Sequence, residues 1–492
     1  MSKEITRRKL LGAAAAGSAW VALAGTLGCE AIKLTRATAS PARAGQAWSF
    51  RSRPDLKPPV VEVTTQARDT APGYIFCAPK NGPDEAGPGQ DGCLILDDTG
   101  QPVWFRPVGR EAMDAMDFKL QSYRGREVLT WWEGEHTGFG KGEYVIADGS
   151  YREVARVRAG NGYTGDHHEF LISLQDTALF TIYHKVPMDL SSVGGPTDGT
   201  VLDGIAQEVD IETGEVIFEW HSLEHVGLDE SYAKPHDYFL INSIHVYDED
   251  HLLISSRTTW TVYKIDRKSG KVIWRLGGKN SDFEMGPGTR PTYQHDARHH
   301  PDGTLTVFDN RNEYVDEQSR AIVLKLDEEA MTAKLVHEYT HPNKVLSATQ
   351  GNVQVLENGN VFVGWGSEPV LSEFSNNGEL LFSASFPAES ESYRAFRSTW
   401  SGEPDGDPAL AVEAGPDDEV TLYASWNGAT EVADWEVLAG PGPDRLEPAG
   451  SVPRKGFETV IKVKTTEPYV GVLAKDTSGK MLGTAKAVKT AR

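Results

Sequence analysis

A strand, turn, strand unit that returns about every 55 residues constrains this chain more than any other feature, because a unit of that size cannot bury its apolar face alone and must stack on its neighbours. Its turn reads Leu94-Ile-Leu-Asp-Asp-Thr-Gly100, Val145-Ile-Ala-Asp-Gly149, Val209-Asp-Ile-Glu-Thr-Gly214, Tyr263-Lys-Ile-Asp-Arg-Lys-Ser-Gly270 and Phe374-Ser-Asn-Asn-Gly378. A degenerate copy, Leu324-Lys-Leu-Asp-Glu-Glu-Ala-Met331, lacks the glycine. Aspartate and glycine supply turn geometry, and the alternating apolar residues around them supply strands. A second hairpin lies between these turns, at Glu169 to Phe180, Ile244 to Ile254, Ala297 to Val307 and Val353 to Val363, with a looser copy at Lys119 to Trp131. Two hairpins per unit make four strands, and six such units close economically into a ring. The expectation is an all-β chain, a six-bladed β-propeller over residues 45–407. From 408 to 492 the repeat stops and short strands such as Val420 to Trp426 and Thr459 to Lys464 predict an immunoglobulin-like or fibronectin-like β-sandwich.

Counting back seven or eight residues from each second-hairpin turn reaches one equivalent place per unit. It holds Asp117, His168 or Glu169, Asn242 or Ser243, His295, and Gln350 or Gly351. Strands that line a propeller axis would be apolar by default, so recurring polar residues predict an axial cluster. The antiparallel partner strands bring Arg257 and Arg311 to the same mouth, and histidine with arginine there suits an anionic substrate. Asp166-His167-His168 reads equally as a satisfied structural network. His168, His295 and Asp296 have no tight metal-ligand spacing, so no metal is expected. No phosphate-cradling glycine loop, dinucleotide fingerprint or nucleophile elbow occurs, and no cofactor is expected.

Residues 1–44 read as a signal peptide and linker: Arg7 and Arg8 precede a weakly apolar run from Ala13 to Leu27, the pattern of twin-arginine export. The mature chain is expected outside the cell, either released or lipid-anchored at Cys29. Export permits a disulfide, and Cys77 and Cys93, at the end of one strand and the start of the next, are expected to form it. A net charge of -22 makes nucleic acid and anionic membranes poor partners. No other stretch is long and apolar enough to span a bilayer.

Gly73-Tyr-Ile-Phe, Pro102-Val-Trp-Phe, His168-Glu-Phe-Leu, Ile254-Ser-Ser-Arg257, Gln294-His-Asp-Ala297, Phe308-Asp-Asn310, Gln350-Gly-Asn-Val-Gln354 and Ser392-Tyr-Arg-Ala395 together resemble the arylsulfotransferase family, over residues from about 70 to 402. The resemblance implies an exported six-bladed propeller that moves a sulfuryl group from an aryl sulfate to a phenol, without a nucleotide donor, through a transiently sulfated histidine. It implies that His168 and His295 hold the sulfate and that Arg311 binds the anion, with Arg257 at a further polar position. Asn242 and Gln350 would complete the ring. Ser392 stands where the family carries its nucleophilic histidine, and Leu240 stands where it carries another. Serine needs a base to attack sulfur, and His245, two residues after Ser243, is expected either to supply it or, one step out of register, to point between the blades. Two functions follow: a sulfuryl-transfer enzyme, or a propeller that binds or hydrolyses a small anionic aromatic ligand. Exchanging both Arg7 and Arg8 for lysine is expected to leave the precursor in the cytoplasm, read by cell fractionation; undisturbed export would point to another route.

Overall fold

The computed structural model describes residues 34–36, 45–81, 87–108, 113–137, 139–311 and 318–490. Each recurring aspartate holds its own turn. Asp97 Oδ1 accepts from the Thr99 amide, the Thr99 hydroxyl and the Gln101 amide at 2.8, 2.6 and 3.0 Å, and Asp148, Asp210 and Asp266 repeat this toward Ser150, Thr213 and Ser269. The turn closes through a left-handed residue: Gly100 at φ 76, Gly214 at φ 72 and Gly270 at φ 71. Where the glycine is missing the conformation persists, with Tyr151 at φ 64 and Met331 at φ 51. A side chain there costs about 1 kcal/mol, so the sheets on either side impose the turn.

Six sheets follow one another, each built on four antiparallel strands, which are consecutive in all but the first; Glu284–Met285 adds a fifth strand to the fifth sheet and Glu62–Thr65 to the sixth. The second runs through Asp114–Tyr123, Arg126–Thr137, Phe139–Ala147 and Glu153–Val157. The third runs through Phe170–Ile172, Thr177–Met188, Gly199–Asp210 and Val216–His221, and the fourth through Ile241–Val246, His251–Ser256, Thr261–Asp266 and Val272–Gly277. The fifth is built on His295–His299, Thr304–Asp309, Arg320–Asp327 and Thr332–Tyr339, and the sixth on Asn352–Val355, Val361–Gly364, Val370–Phe374 and Leu380–Ser385. The first joins Tyr74–Cys77, Gly92–Leu96 and Pro102–Pro107 to a strand from far along the chain, Ala395–Ser398, which pairs antiparallel with Tyr74–Cys77. Each sheet packs against the next, and the sixth packs against the first through Val361–Gly364 and Ala395–Ser398. Large apolar side chains fill the spaces between sheets, as with Phe308 and Trp365, whose rings meet edge-on at 5.8 Å.

Two further sheets share one apolar core. One contains Ala409–Ala414, Glu419–Ser425, Glu458–Lys464 and Leu34–Arg36, the other Asp434–Gly442, Arg445–Pro453, Tyr469–Lys475 and Met481–Thr484. Leu422, Trp435, Ile461 and Val472 are buried between them. Leu34–Arg36 pairs with Glu458–Lys464, so part of the segment expected as linker is built into a sheet. These sheets are fastened to the first sheet of the ring: Asn427 accepts from the Phe105 amide and donates to the Phe105 carbonyl, both at 2.9 Å. Among the described residues no helix is long and apolar enough to cross a membrane. Arg7, Arg8 and Cys29 lie outside the described residues.

The expected Cys77–Cys93 disulfide is absent; both thiols are free and buried. The register explains it. Cys77 lies opposite Leu94, so Cys93 is one residue out of step, and successive side chains point to opposite faces. Cys77 therefore packs with Leu94, Phe362 and Phe382, while Cys93 packs with Phe76, Phe118 and Trp131 on the other face. Burial raises the pKa of both thiols. Neither is expected to react with an aromatic disulfide reagent in the native protein, both should react in denaturant, and reductant should leave the melting temperature unchanged. A mobility shift on reduction would contradict this arrangement.

Candidate active site

The strands nearest the centre of the ring carry local irregularities that turn polar residues inward. Pairing slips at Met116/Lys119, at Ile241/Ser243 and at His295/Arg298. Asp117 at φ 55 and Asp296 at φ 54 sit within two of these bulges, and Gln350 at φ 67 leads into the sixth sheet. Bulges re-aim side chains, and here they aim them at one another. All six sheets contribute. The buried Arg394, just ahead of the strand that closes the ring, donates to Asp117 at 3.0 Å, to Glu169 at 3.1 Å and to the Asn242 carbonyl at 2.8 Å. The Tyr393 hydroxyl reaches the carbonyls of His168 and Asn242 at 3.0 and 3.2 Å. Asn242 Nδ2 donates to the Gln294 carbonyl at 2.5 Å, and the Gln350 amide donates to His295 Nε2 at 3.2 Å. Arg394 and Tyr393 thus tie Asp117, the His168 carbonyl and the Asn242 carbonyl together, and the Gln350 amide meets His295.

Two layers of different electrostatic character result. In the first, Lys119, Arg298 and Arg394 meet Asp117, Glu169 and Asp296. Three cations face three carboxylates. Burial pushes the Glu169 carboxyl up, but Arg298, Arg394 and Lys119 outweigh it and hold the pKa well below the usual range. With its charges matched, this layer has no excess charge for a ligand.

The second layer is built on His168, His295 and Arg257. His168 Nδ1 donates to Asp166 Oδ2 at 2.5 Å. Its ring stacks on His167 with centroids 4.0 Å apart and is flanked edge-on by Tyr183 and Tyr393 at 5.5 and 5.6 Å. Asp166 also accepts from the Gly140 and His168 amides at 2.7 and 3.0 Å and from the Thr181 hydroxyl at 3.3 Å. Burial opposes its ionisation, yet the neighbouring His168 and His167 hold its carboxyl well below the usual range. His136 meets His167 edge-on at 4.7 Å.

Both nitrogens of His295 are taken: Nδ1 donates to Asn310 Oδ1 at 2.6 Å and Nε2 accepts from Gln350. Burial foremost, and then the Arg257 guanidinium, push its pKa well down, so the ring is neutral at pH 7. Arg257 has no carboxylate partner among the described residues. Its Nη2 donates to the exposed Ala348 carbonyl at 3.2 Å, its guanidinium lies 4.9 Å from the Tyr293 ring centroid, and its Nε is buried without a hydrogen bond. Tyr293 continues into Trp260 and Tyr232, with centroid separations of 5.2 and 3.7 Å. Trp260 and Tyr293 both adopt left-handed backbone, at φ 54 and φ 53. Aromatic residues in that conformation mark strain that the surrounding fold maintains. Buried oxygens of Asn242, Gln294 and Gln350, and the indole nitrogen of Trp260, have no hydrogen-bond partner among the described residues.

Other expected residues are placed differently. Arg311 is paired with Asp309 at 3.2 Å, and Asp309 also pairs with Arg320 at 2.9 Å. The Ser392 hydroxyl donates to the Arg394 carbonyl at 2.7 Å and accepts from the Ala78 amide at 3.1 Å, an arrangement that pins the closing strand. His245 lies three residues beyond Asn242 on its strand, among Arg298, His299 and His300. Burial foremost, and then Arg298, push its pKa down to about 3. Asp166, His167 and His168 each bring one potential metal-ligating atom within 4.8 Å of the others. With both Asp166 oxygens already accepting hydrogen bonds, that carboxylate orients its neighbour instead.

The buried histidines set a pH dependence. Burial foremost lowers the pKa of His136 from 6.5 to about 4, and it lowers His167 and His295 well below 6.5. The unfolded chain therefore binds protons that the folded chain refuses, so the stability these sites contribute is complete above about pH 6.5 and is lost as pH falls. His221, raised by Asp203 and Glu219 against its burial, opposes this at one position. Thermal melts should show the melting temperature falling from about pH 7 to about pH 5; a flat or rising profile would contradict neutral burial.

Comparison with known proteins gives one family. The model of the arylsulfotransferase (ASST) family matches residues 119–387, more than half of the chain. A search of curated proteins gives no match. Similar solved structures include a protein of unknown function from Bacteroides caccae, 12% identical, covering 66% of this chain and 98% of its own, with a TM-score of 0.41. An inactive virginiamycin B lyase from Staphylococcus aureus with quinupristin is 8% identical, covers 82% and 99%, and has a TM-score of 0.35. The Cps50 (Swd1) β-propeller domain of Myceliophteria thermophila is 12% identical, covers 65% and 96%, and has a TM-score of 0.33. These three likenesses carry no functional weight. The family match, with an all-β chain whose axial histidines converge, places the protein in the arylsulfotransferase family.

Proposed function

We propose that this chain is an exported aryl sulfate sulfotransferase, moving a sulfuryl group from an aryl sulfate to a phenol without a nucleotide donor. In this reading the six sheets of the ring are the blades of a propeller, residues 408–492 are a sandwich module resting on the first blade, and twin-arginine export delivers the folded protein. The observation that carries the reading is Arg257. Arg257 is half-buried, its Nε is buried without a hydrogen bond and it has no carboxylate partner among the described residues, which leaves its charge to be completed by an anion. Tyr293, Trp260 and Tyr232 beside it offer ring faces to an aryl group. In this reading Arg257 binds the anion, the role that the family resemblance implies for Arg311, whose guanidinium pairs with Asp309.

A second reading, a propeller that binds such a ligand without turning it over, is favoured by Ser392. Its hydroxyl has both its proton and a lone pair committed to backbone, with neither histidine nor carboxylate bonded to it among the described residues. Purified protein given a chromogenic aryl sulfate and a phenol acceptor separates the two. Transfer predicts acceptor-dependent release of the chromogenic phenol, and binding alone predicts none.

Arg257→Ala should raise KM for the donor by about ten- to a hundred-fold, the loss of one charge-assisted hydrogen-bonding group worth about 1.5–3 kcal/mol. The same change removes a half-buried donor that has no hydrogen bond at Nε, so the melting temperature should hold or rise. An unaltered KM would remove Arg257 from the site.

A further inference from the structure

We infer that the peptide bond cut on export lies between the end of the apolar run at Leu27 and the strand Leu34–Arg36, so that this strand stays in the exported protein as a working part of its two-sheet unit. This rests on the export reading above. Small-x-small triplets of the kind that export peptidases cut occur on both sides of the strand: Thr26-Leu27-Gly28 and Cys29-Glu30-Ala31 before it, Ala37-Thr38-Ala39 and Ala42-Arg43-Ala44 after it. A cut at either of the first two keeps the strand, and a cut at either of the last two removes it. By side chain alone the alanine triplets are the better substrates. What the strand does in the fold decides otherwise.

Leu34–Arg36 is the outermost strand of its sheet, with Leu34 opposite Val463, Thr35 opposite Lys462 and Arg36 opposite Ile461. Without it Glu458–Lys464 becomes the edge, and a strand whose Thr459, Ile461 and Val463 are buried would present a row of unpaired N–H and C=O groups. Leu34 is half-buried and packs on the core that the two sheets share. In the opposite sheet Gly450, at φ 141, stands where any Cβ would collide with Leu34 Cδ1. That sheet therefore carries its one residue without a side chain at the point where the leucine enters.

The chain is held again soon after the alanine triplets. The amides of Arg51 and Ser52 donate to the Glu458 carboxylate at 3.1 and 2.6 Å, and the Ser52 hydroxyl donates to it at 2.5 Å. The Phe50 ring lies 4.3 Å from that of Phe457, centroid to centroid, and both belong to the apolar core between the sixth and first sheets of the ring. Glu62–Thr65 then joins the sixth sheet. The chain is thus fastened to Glu458–Lys464 both before Ala37 and after Phe50. A peptidase acting where the apolar run ends meets Gly28 to Lys33 first. To cut after Ala39 or Ala44 it would have to reach past a strand that is already paired in a protein folded before export. One covalent segment, from Leu34 to Thr65, ties the sandwich unit to the ring.

The test is the intact mass of the full-length protein, produced with its own signal and recovered outside the cytoplasm, with the first residue confirmed by peptide sequencing. The chain is expected to begin between Gly28 and Leu34, with or without a lipid on Cys29. A chain that begins later, at Ser40 or Gly45 for the alanine triplets, overturns the inference while leaving export intact, and so does an uncut chain outside the cytoplasm. An uncut chain that stays in the cytoplasm overturns the export reading, and the inference with it. A second readout addresses the strand itself. Amide hydrogen exchange at Ile461, Lys462 and Val463 of the exported protein should be slow, and Leu34→Asp should speed part of it by at least about tenfold while the ring is unchanged. Equal exchange in the two proteins would show the strand undocked and would overturn the inference.

Discussion

Four residues close this molecule. Ala395–Ser398 pairs with Tyr74–Cys77, joining the end of the ring to its beginning across more than three hundred residues of chain. The entropy of closing so long a loop is large but grows only slowly with length, so a short strand suffices once every intervening sheet is in place. What precedes that strand is used fully. Ser392 anchors it to Ala78, Tyr393 bonds to two axial carbonyls, and Arg394 enters the buried charge layer. Ring closure and the assembly of the centre are thus one event. The histidine layer has its geometry only when the last strand has docked.

The two axial layers show how similar residue types serve opposite ends. Arg394 and Arg257 are both arginines near the axis. Arg394 is surrounded by Asp117, Glu169 and Asp296, and its charge is absorbed by the fold. Arg257 has aromatic rings and a carbonyl for neighbours. The charges of the first are paired within the fold, and Arg257 is the cation that the proposed reading gives to the anion.

Much of this was legible in the sequence because it depends on spacing. The period of the Asp–Gly turns carries the sheet order, and counting from those turns reaches Asp117, His168, Asn242, His295 and Gln350, which lie at or just ahead of the first strands of successive sheets. Reading failed where the outcome hangs on a single residue of register. Cys77 and Cys93 flank one hairpin, but a one-residue offset sends them to opposite faces. His245 follows Asn242 by three positions and so leaves the cluster. Pairing was equally invisible: no pattern distinguishes Arg311, which meets Asp309, from Arg257, which meets no carboxylate. Asp166, Tyr393 and Arg394 were within the motifs read, yet their roles come from partners far away in the chain. The left-handed backbone of Trp260 and Tyr293 has no sequence signature, since neither is glycine or asparagine.

The neutrality of the buried rings has a consequence for charge counting. His136, His167 and His295 are kept uncharged by burial, so at neutral pH none of these three adds to the charge that Arg257 presents. Asp166, ionised in the same layer, already offsets one positive charge there, so each further negative charge on a guest adds to the acidity of the protein. Sulfate monoesters carry one charge, and phosphate monoesters carry nearly two at pH 7. Of two oxyanions of almost the same size and shape, the one of lower valence therefore meets the smaller electrostatic cost there.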